Sequence, residues 1–113
     1  MDCCGVDAAP AVALFRSLGD PTRLAIVLRL AAGEARVVDL TRALGLAQST
    51  VSKHLACLRD CGLVISRPQG RASVYALAHP DAVAGLLAAA EQLLALTGDA
   101  VVLCPRYGQG AAR

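Results

Sequence analysis

Five cysteines in 113 residues are the side chains here best equipped for chemistry. Their spacing sorts them into three groups. Cys57 and Cys61 stand four apart within Gln48-Ser-Thr-Val-Ser-Lys-His-Leu-Ala-Cys-Leu-Arg-Asp-Cys-Gly62, which is one turn of a helix. Cys3 and Cys4 are neighbours near the start of the chain, and Cys104 precedes Pro105 close to its end. A set of thiolates with no histidine beside them selects soft cations. Cys57 and Cys61 can chelate one ion from a single helix. Cys104 would complete a three-sulfur site, and Cys3 or Cys4 could supply a fourth sulfur.

The segment that must position the central pair reads as a helix of about four turns. Val51, Leu55 and Leu58 recur at the i, i+4, i+7 spacing of a core stripe. The opposite side then carries Thr50, Lys53, Cys57 and Cys61 in one line. Free cysteine normally behaves as a small buried hydrophobe, so two on an outward line point to a role other than packing. The first half of the same helix is polar: Gln48, Ser49, Thr50, Ser52 and Lys53 suit base edges and phosphates. A helix over Val38 to Leu44 precedes it, with Gly45 in the short turn. That is a helix-turn-helix, in which the second helix reads DNA. Beyond Gly62, the β-prone runs Leu63–Arg67 and Ala72–Leu77 flank Pro68-Gln69-Gly70-Arg71, a hairpin that reads as a wing. Arg67 and Arg71 in this wing are expected on the phosphate backbone. Within 48–75 four cations, Lys53, Arg59, Arg67 and Arg71, face only Asp60, although the whole chain is just +2.

The flanks divide into an arm over 1–9, a core domain over 10–98 and a tail over 99–113 that carries Cys104. Ala11, Leu14, Phe15 and Leu18 form the apolar face of a first helix. Asp20 and Pro21 then supply an N-cap and a first helical residue. Leu24, Val27, Leu28 and Ala31 mark the inner face of the second helix. Asp20 with Arg23 is expected as a cap and ion pair, His54 as structural, and His79 at a helix entry. A last helix runs from Pro80 to about Thr97, with Val83, Leu86, Leu87, Ala90, Leu93 and Leu94 making an apolar face too broad for one small core. At 56% hydrophobic and 3% aromatic residues, the chain is expected to be mainly α with a small β-hairpin wing and to bury that face in a homodimer. The longest apolar run, Ala82 to Ala90, is far short of the roughly 20 residues of a membrane span. An odd cysteine count without a signal-peptide pattern suits reducing cytoplasm.

Taken together, Leu18-Gly-Asp-Pro-Thr-Arg-Leu24, Gln48-Ser-Thr-Val-Ser-Lys-His-Leu55, and Leu58 through Gly62-Leu-Val64 into the wing resemble the ArsR/SmtB family of metal-responsive winged helix-turn-helix repressors. The likeness covers about residues 10 to 98. Cys57-Leu-Arg-Asp-Cys61, a cysteine beyond the last helix (Cys104) and an N-terminal cysteine (Cys4) are similar to the cadmium- and lead-sensing CmtR type of that family. The Cys-x-Cys of another branch is absent from Val37-Val-Asp-Leu-Thr41, and the last helix lacks the histidine pair of the zinc and nickel sensors. The vicinal Cys3-Cys4 departs from the CmtR type, and some arsenic sensors use such a pair.

The resemblance implies a repressor bound to double-stranded operator DNA in its apo form and released by Cd(II) or Pb(II), with As(III) or Zn(II) as alternative inducers and no organic cofactor. It further implies that Cys104 comes from the partner subunit. An As(III)/Sb(III) sensor using Cys3, Cys4 and Cys57, and a thiol redox switch, are the competing readings. Cys61 and Arg67 do stand in the Cys-x5-Arg spacing of phosphate-loop enzymes. However, the intervening Gly62-Leu-Val-Ile-Ser66 is strand-forming rather than a flexible anion cradle, so no enzyme activity is expected.

Overall fold

A computed structural model describes residues 7–99 and Leu103. The elements run α1 (Ala9–Leu18), α2 (Pro21–Ala31), β1 (Ala35–Arg36), α3 (Val37–Leu44), α4 (Gln48–Asp60), β2 (Val64–Gln69), β3 (Ala72–Leu77) and α5 (Pro80–Leu96). This is a winged helix-turn-helix. Val51, Leu55 and Leu58 of α4 are fully buried, as their spacing requires, and they meet Ile26, Val27, Leu30, Leu40, Val64 and Leu77 in one core.

Two helices are turned differently from the sequence expectation. In α2 the buried residues are Ile26, Val27 and Leu30, while Leu24, Leu28 and Ala31 are only half-buried. The reason is position: α1, α3, α4, α5 and β3 all pack on α2, so a single apolar stripe does not describe it. In α1 the one buried residue is Ser17, and Phe15 is 60% exposed. The apolar face of α1 is therefore not consumed by this protomer's core.

The sheet holds three strands in the order β1-β3-β2, all antiparallel, so the hairpin gains a partner that the sequence did not announce. Two residues are too few to show a period-2 pattern. Ala35 and Arg36 pair with Tyr75 and Val74, which anchors the base of the wing beside the start of α3. The wing turn is also tighter than expected. Gln69 pairs with Ala72, leaving only Gly70-Arg71 as the loop. Gly70 at φ +63° is the one positive-φ residue there, matching a II′ turn with glycine at its first central position. Pro68 stays in β2 because that strand is an edge, where a missing N–H is tolerated.

At the far side, Val83 and Leu87 of α5 are buried, whereas Leu93 and Leu96 are 63% and 84% exposed. Among the described residues no helix is long and apolar enough to cross a membrane.

Candidate functional site

The recognition helix α4 starts at the N-cap Ala47, which offers no side chain to the first-turn N–H groups. Among the described residues no side chain caps those donors, and uncapped first-turn N–H groups suit a phosphate. Gln48, Ser49, Ser52 and Lys53 are exposed at this end, with Thr50 half-buried beside them. The wing reaches the same region. A cleft of about 330 Å³ is lined by Gln48 of α4, Arg71 and Ser73 of the wing, Tyr75, and Arg36 of β1. Arg36 is a cation that sequence reasoning passed over, since only the short β1 strand carries it to this face. It is not idle in the free protein: the Asp39 carboxylate accepts its backbone N–H at 3.0 Å and its Nε at 3.4 Å. Those bonds, the backbone one first, hold the Asp39 carboxyl below its ordinary 3.8.

Arg67 stands differently from Arg71. Its Nη2 lies 2.5 Å from Glu34 Oε1, so the expected phosphate ligand is tied to a carboxylate from the turn before β1. Glu34 lies outside the basic stretch read from the sequence, and only the fold brings it there. Arg71 has no comparable ion pair among the described residues.

The other end of α4 is built by its termination. Gly62 at φ +80° follows the helix, its N–H donates to Arg59 O at 3.0 Å, and Leu63 N–H donates to Leu58 O at 3.0 Å. This is a Schellman closure, which needs glycine at the left-handed position. Cys61 is the C-cap rather than a residue of the helix body, and its N–H donates to Cys57 O at 3.1 Å. Both are free thiols, Cys57 half-buried and Cys61 exposed. They lie one turn apart at the carbonyl end of the helix dipole, where a cation is favoured. Two sulfur donors one helical turn apart fit a soft ion. Among the described residues no third cysteine, histidine or carboxylate completes a cation site. Cys3, Cys4 and Cys104 lie outside the described residues.

A polar seam joins this end of α4 to the helices packed on it. Cys61 Sγ is 3.2 Å from the buried Ser17 Oγ of α1. Arg23 Nε donates to Ser17 O at 3.1 Å, and Arg23 Nη1 lies 3.4 Å from His54 Nδ1 of α4. Asp20 caps α2 by accepting Arg23 N–H at 3.2 Å, and its Oδ2 sits 3.7 Å from His54 Nδ1. Thus Asp20 and Arg23 meet through the backbone cap, and the Arg23 guanidinium turns to Ser17 and His54 instead of forming the expected ion pair. Ser17 is the residue that sequence reasoning missed here. A serine within a short apolar helix carries no spacing signal of its own. The same geometry disposes of the phosphate-loop spacing: Cys61 caps the carbonyl end of α4 with its thiol against Ser17, and Arg67 is on the wing with Glu34.

Leu103 packs at an apolar groove among α1, α2 and α5, lined by Phe15, Leu18, Leu24, Leu86, Leu87 and Ala90. Its N–H donates to Glu91 Oε2 at 2.6 Å.

Comparison with known proteins agrees with this architecture. Residues 20–66, from the cap of α2 to the start of the wing, match the model of the bacterial regulatory protein, arsR family. The HTH-type transcriptional regulator CmtR of Mycobacterium bovis is 37% identical over 109 residues, covering 96% of this chain and 92% of that protein. The NMR structure of the cadmium metal-sensor CmtR from Mycobacterium tuberculosis superposes with a TM-score of 0.57 at 43% identity, over 67% of this chain and 82% of the other. A homodimeric winged helix-turn-helix DNA-binding domain from Mycobacterium bovis gives a TM-score of 0.66 at 34% identity, over 76% and 78%. With a helix-turn-helix, a wing sharing a cleft with the recognition helix, and a relative matched along nearly its whole length, the chain belongs to the arsR family of bacterial regulatory proteins and is a transcriptional regulator, not an enzyme.

Proposed function

We propose that this protein is a homodimeric, metal-sensing repressor that holds operator DNA in the metal-free state and releases it when a soft ion binds thiolates. The observation that carries the reading is that one rigid helix has DNA-reading chemistry at one end and two thiols at the other. Gln48, Ser49, Thr50, Ser52 and Lys53 would face base edges and phosphates, with Arg71 and, once freed from Glu34, Arg67 on the backbone. Cys57 and Cys61 would hold the ion together with Cys104, and Cys4 or Cys3 would add a further sulfur. An all-sulfur set favours Cd(II) or Pb(II) over the harder ions, and a relative described as a cadmium sensor supports the same choice.

Dimerisation is supported by the apolar residues left outside this protomer's core. Val12 and Phe15 on α1 and Leu93 and Leu96 on α5 are exposed, and these two helices flank one groove. Exposed apolar side chains of this size on adjoining helices mark an interface. Two recognition helices related by a two-fold axis would enter successive major grooves about 34 Å apart. Such a regulator works where the DNA is, in the cytoplasm.

The test is a titration of reduced, metal-free protein on a labelled fragment of its own promoter region with Cd(II), Pb(II), Zn(II) and As(III) in turn, while thiolate-to-metal absorption is followed. Release by Cd(II) or Pb(II) with a three- or four-thiolate band supports the reading. Release by As(III) alone moves the site toward Cys3, Cys4 and Cys57. Release by peroxide and by no ion makes the protein a redox switch.

A further inference from the structure

We infer that Ser17 is a positioning residue of the thiolate site, its hydroxyl donating to Cys61 Sγ and tying that sulfur to α1. The inference rests on the assignment of Cys61 as a ligand.

Two observations carry it. Ser17 is 5% exposed and is the only buried residue of α1, while Val12 and Phe15 of the same helix stand 49% and 60% exposed. A helix with apolar side chains to spare has thus turned a hydroxyl inward. Burying a hydroxyl is unfavourable unless it is hydrogen-bonded. The partner at 3.2 Å is Cys61 Sγ, contributed by the cap of the recognition helix forty-four residues away. No buried side-chain oxygen or nitrogen is left unsatisfied among the described residues, so this contact is what satisfies Ser17.

The chemistry of the pair gives the contact a direction. In the free thiol either atom can donate, and a thiol sulfur is a weak acceptor. A ligand sulfur has given up its proton, so Ser17 must then be the donor, and charge-assisted bonds are the stronger ones. Ion binding would therefore tighten the bond between the end of α4 and α1. Donors to a ligand atom orient it and tune the ion it holds. The seam continues from the same residue, since Ser17 O accepts Arg23 Nε and Arg23 reaches His54 in the middle of α4. Occupancy at Cys61 is thereby linked to a helix whose exposed apolar face adjoins that of α5.

The experiment compares full-length wild type, Ser17→Ala, Ser17→Thr and Cys61→Ser, all reduced and metal-free at the start. Each is titrated with Cd(II) against a competing chelator, and the thiolate-to-cadmium absorption is recorded. Far-ultraviolet dichroism of the metal-free proteins checks the fold. Ser17→Ala is expected to fold as wild type, to bind Cd(II) about 10-fold more weakly and to shift the absorption to longer wavelength. Ser17→Thr, which keeps the hydroxyl, restores the wild-type band. If Cys61→Ser leaves the band unchanged, Cys61 is not a ligand, and the assignment and this inference fall together. If Cys61→Ser weakens or abolishes the band while Ser17→Ala matches wild type in both affinity and band position, only the role of Ser17 is overturned.

Discussion

Arg67 on the wing and Glu34 in the turn before β1 form an ion pair at 2.5 Å, with both side chains about half exposed. An exposed pair of this kind stabilises the fold by roughly 0–1 kcal/mol. In the proposed complex its larger effect is on binding, because Glu34 would compete with phosphate for Arg67. Glu34→Gln should therefore leave the melting temperature nearly unchanged and tighten DNA binding at low salt, whereas Arg67→Ala should reduce the slope of log K on log salt by about 1. Arg71→Ala should reduce that slope by about 1. Fluorescence anisotropy on duplex DNA across a salt series measures both. An unchanged slope for Arg67→Ala would remove Arg67 from the DNA interface.

The cysteines give the sharpest separation of functions. Cys57→Ser and Cys61→Ser should bind operator within about twofold of wild type, since neither thiol is at the reading end of α4. Both should lose Cd(II)-dependent release, a coupling of typically 5- to 150-fold. Cys104→Ser reports whether the tail supplies the third sulfur. A Cys57→Ser protein still released by Cd(II) in a gel-shift assay would place the site elsewhere.

Leu93→Asp combined with Leu96→Asp adds charge to the exposed face of α5 without touching Val83 or Leu87 in the core. Sedimentation should show a monomer with intact helical content. Operator affinity should drop roughly 10²- to 10⁴-fold, because two half-sites would no longer be engaged together. A double variant that still sediments as a dimer would remove this face from the interface.

Asp39 supplies a pH test of the helix-turn-helix itself. Its carboxyl is held below 3.8 chiefly by the Arg36 backbone N–H. A depressed value means that its contribution to stability is fully present above the unfolded pKa and is lost as pH falls through the folded one. Asp39→Ala should thus lower the urea midpoint at pH 6 to 7, and its gap from wild type should narrow below pH 4. A gap independent of pH would mean that the charge of Asp39 does not matter.

What the sequence disclosed, and what it withheld, follows from the range of each interaction. Val51, Leu55 and Leu58 were legible because a helix in contact on one side writes its burial as a period. Ile26 and Leu30 were not, because α2 is enclosed by five elements and its burial has no single phase. Gly70 marked the wing turn in the sequence, and the structure puts it and Gly62 in left-handed backbone that other residues resist. The two-residue strand β1 was too short to leave a pattern. Neither the Glu34–Arg67 pair nor the Ser17–Cys61 contact, thirty-three and forty-four residues apart, has any local signature. The cysteine pair was legible only as a line opposite the core stripe, and the structure leaves Cys61 exposed and Cys57 half-buried. The fold alone revealed that Cys61 rests on a buried serine.

That Cys61 caps α4 makes the helix a lever. Its 13 residues span about 20 Å at 1.5 Å per residue. A tilt of only about 5° imposed at the cap therefore swings the Gln48 end by nearly 2 Å, whereas hydrogen bonds tolerate about 0.5 Å. A pull too slight to disturb the buried stripe can thus break contacts at the other end of the rod.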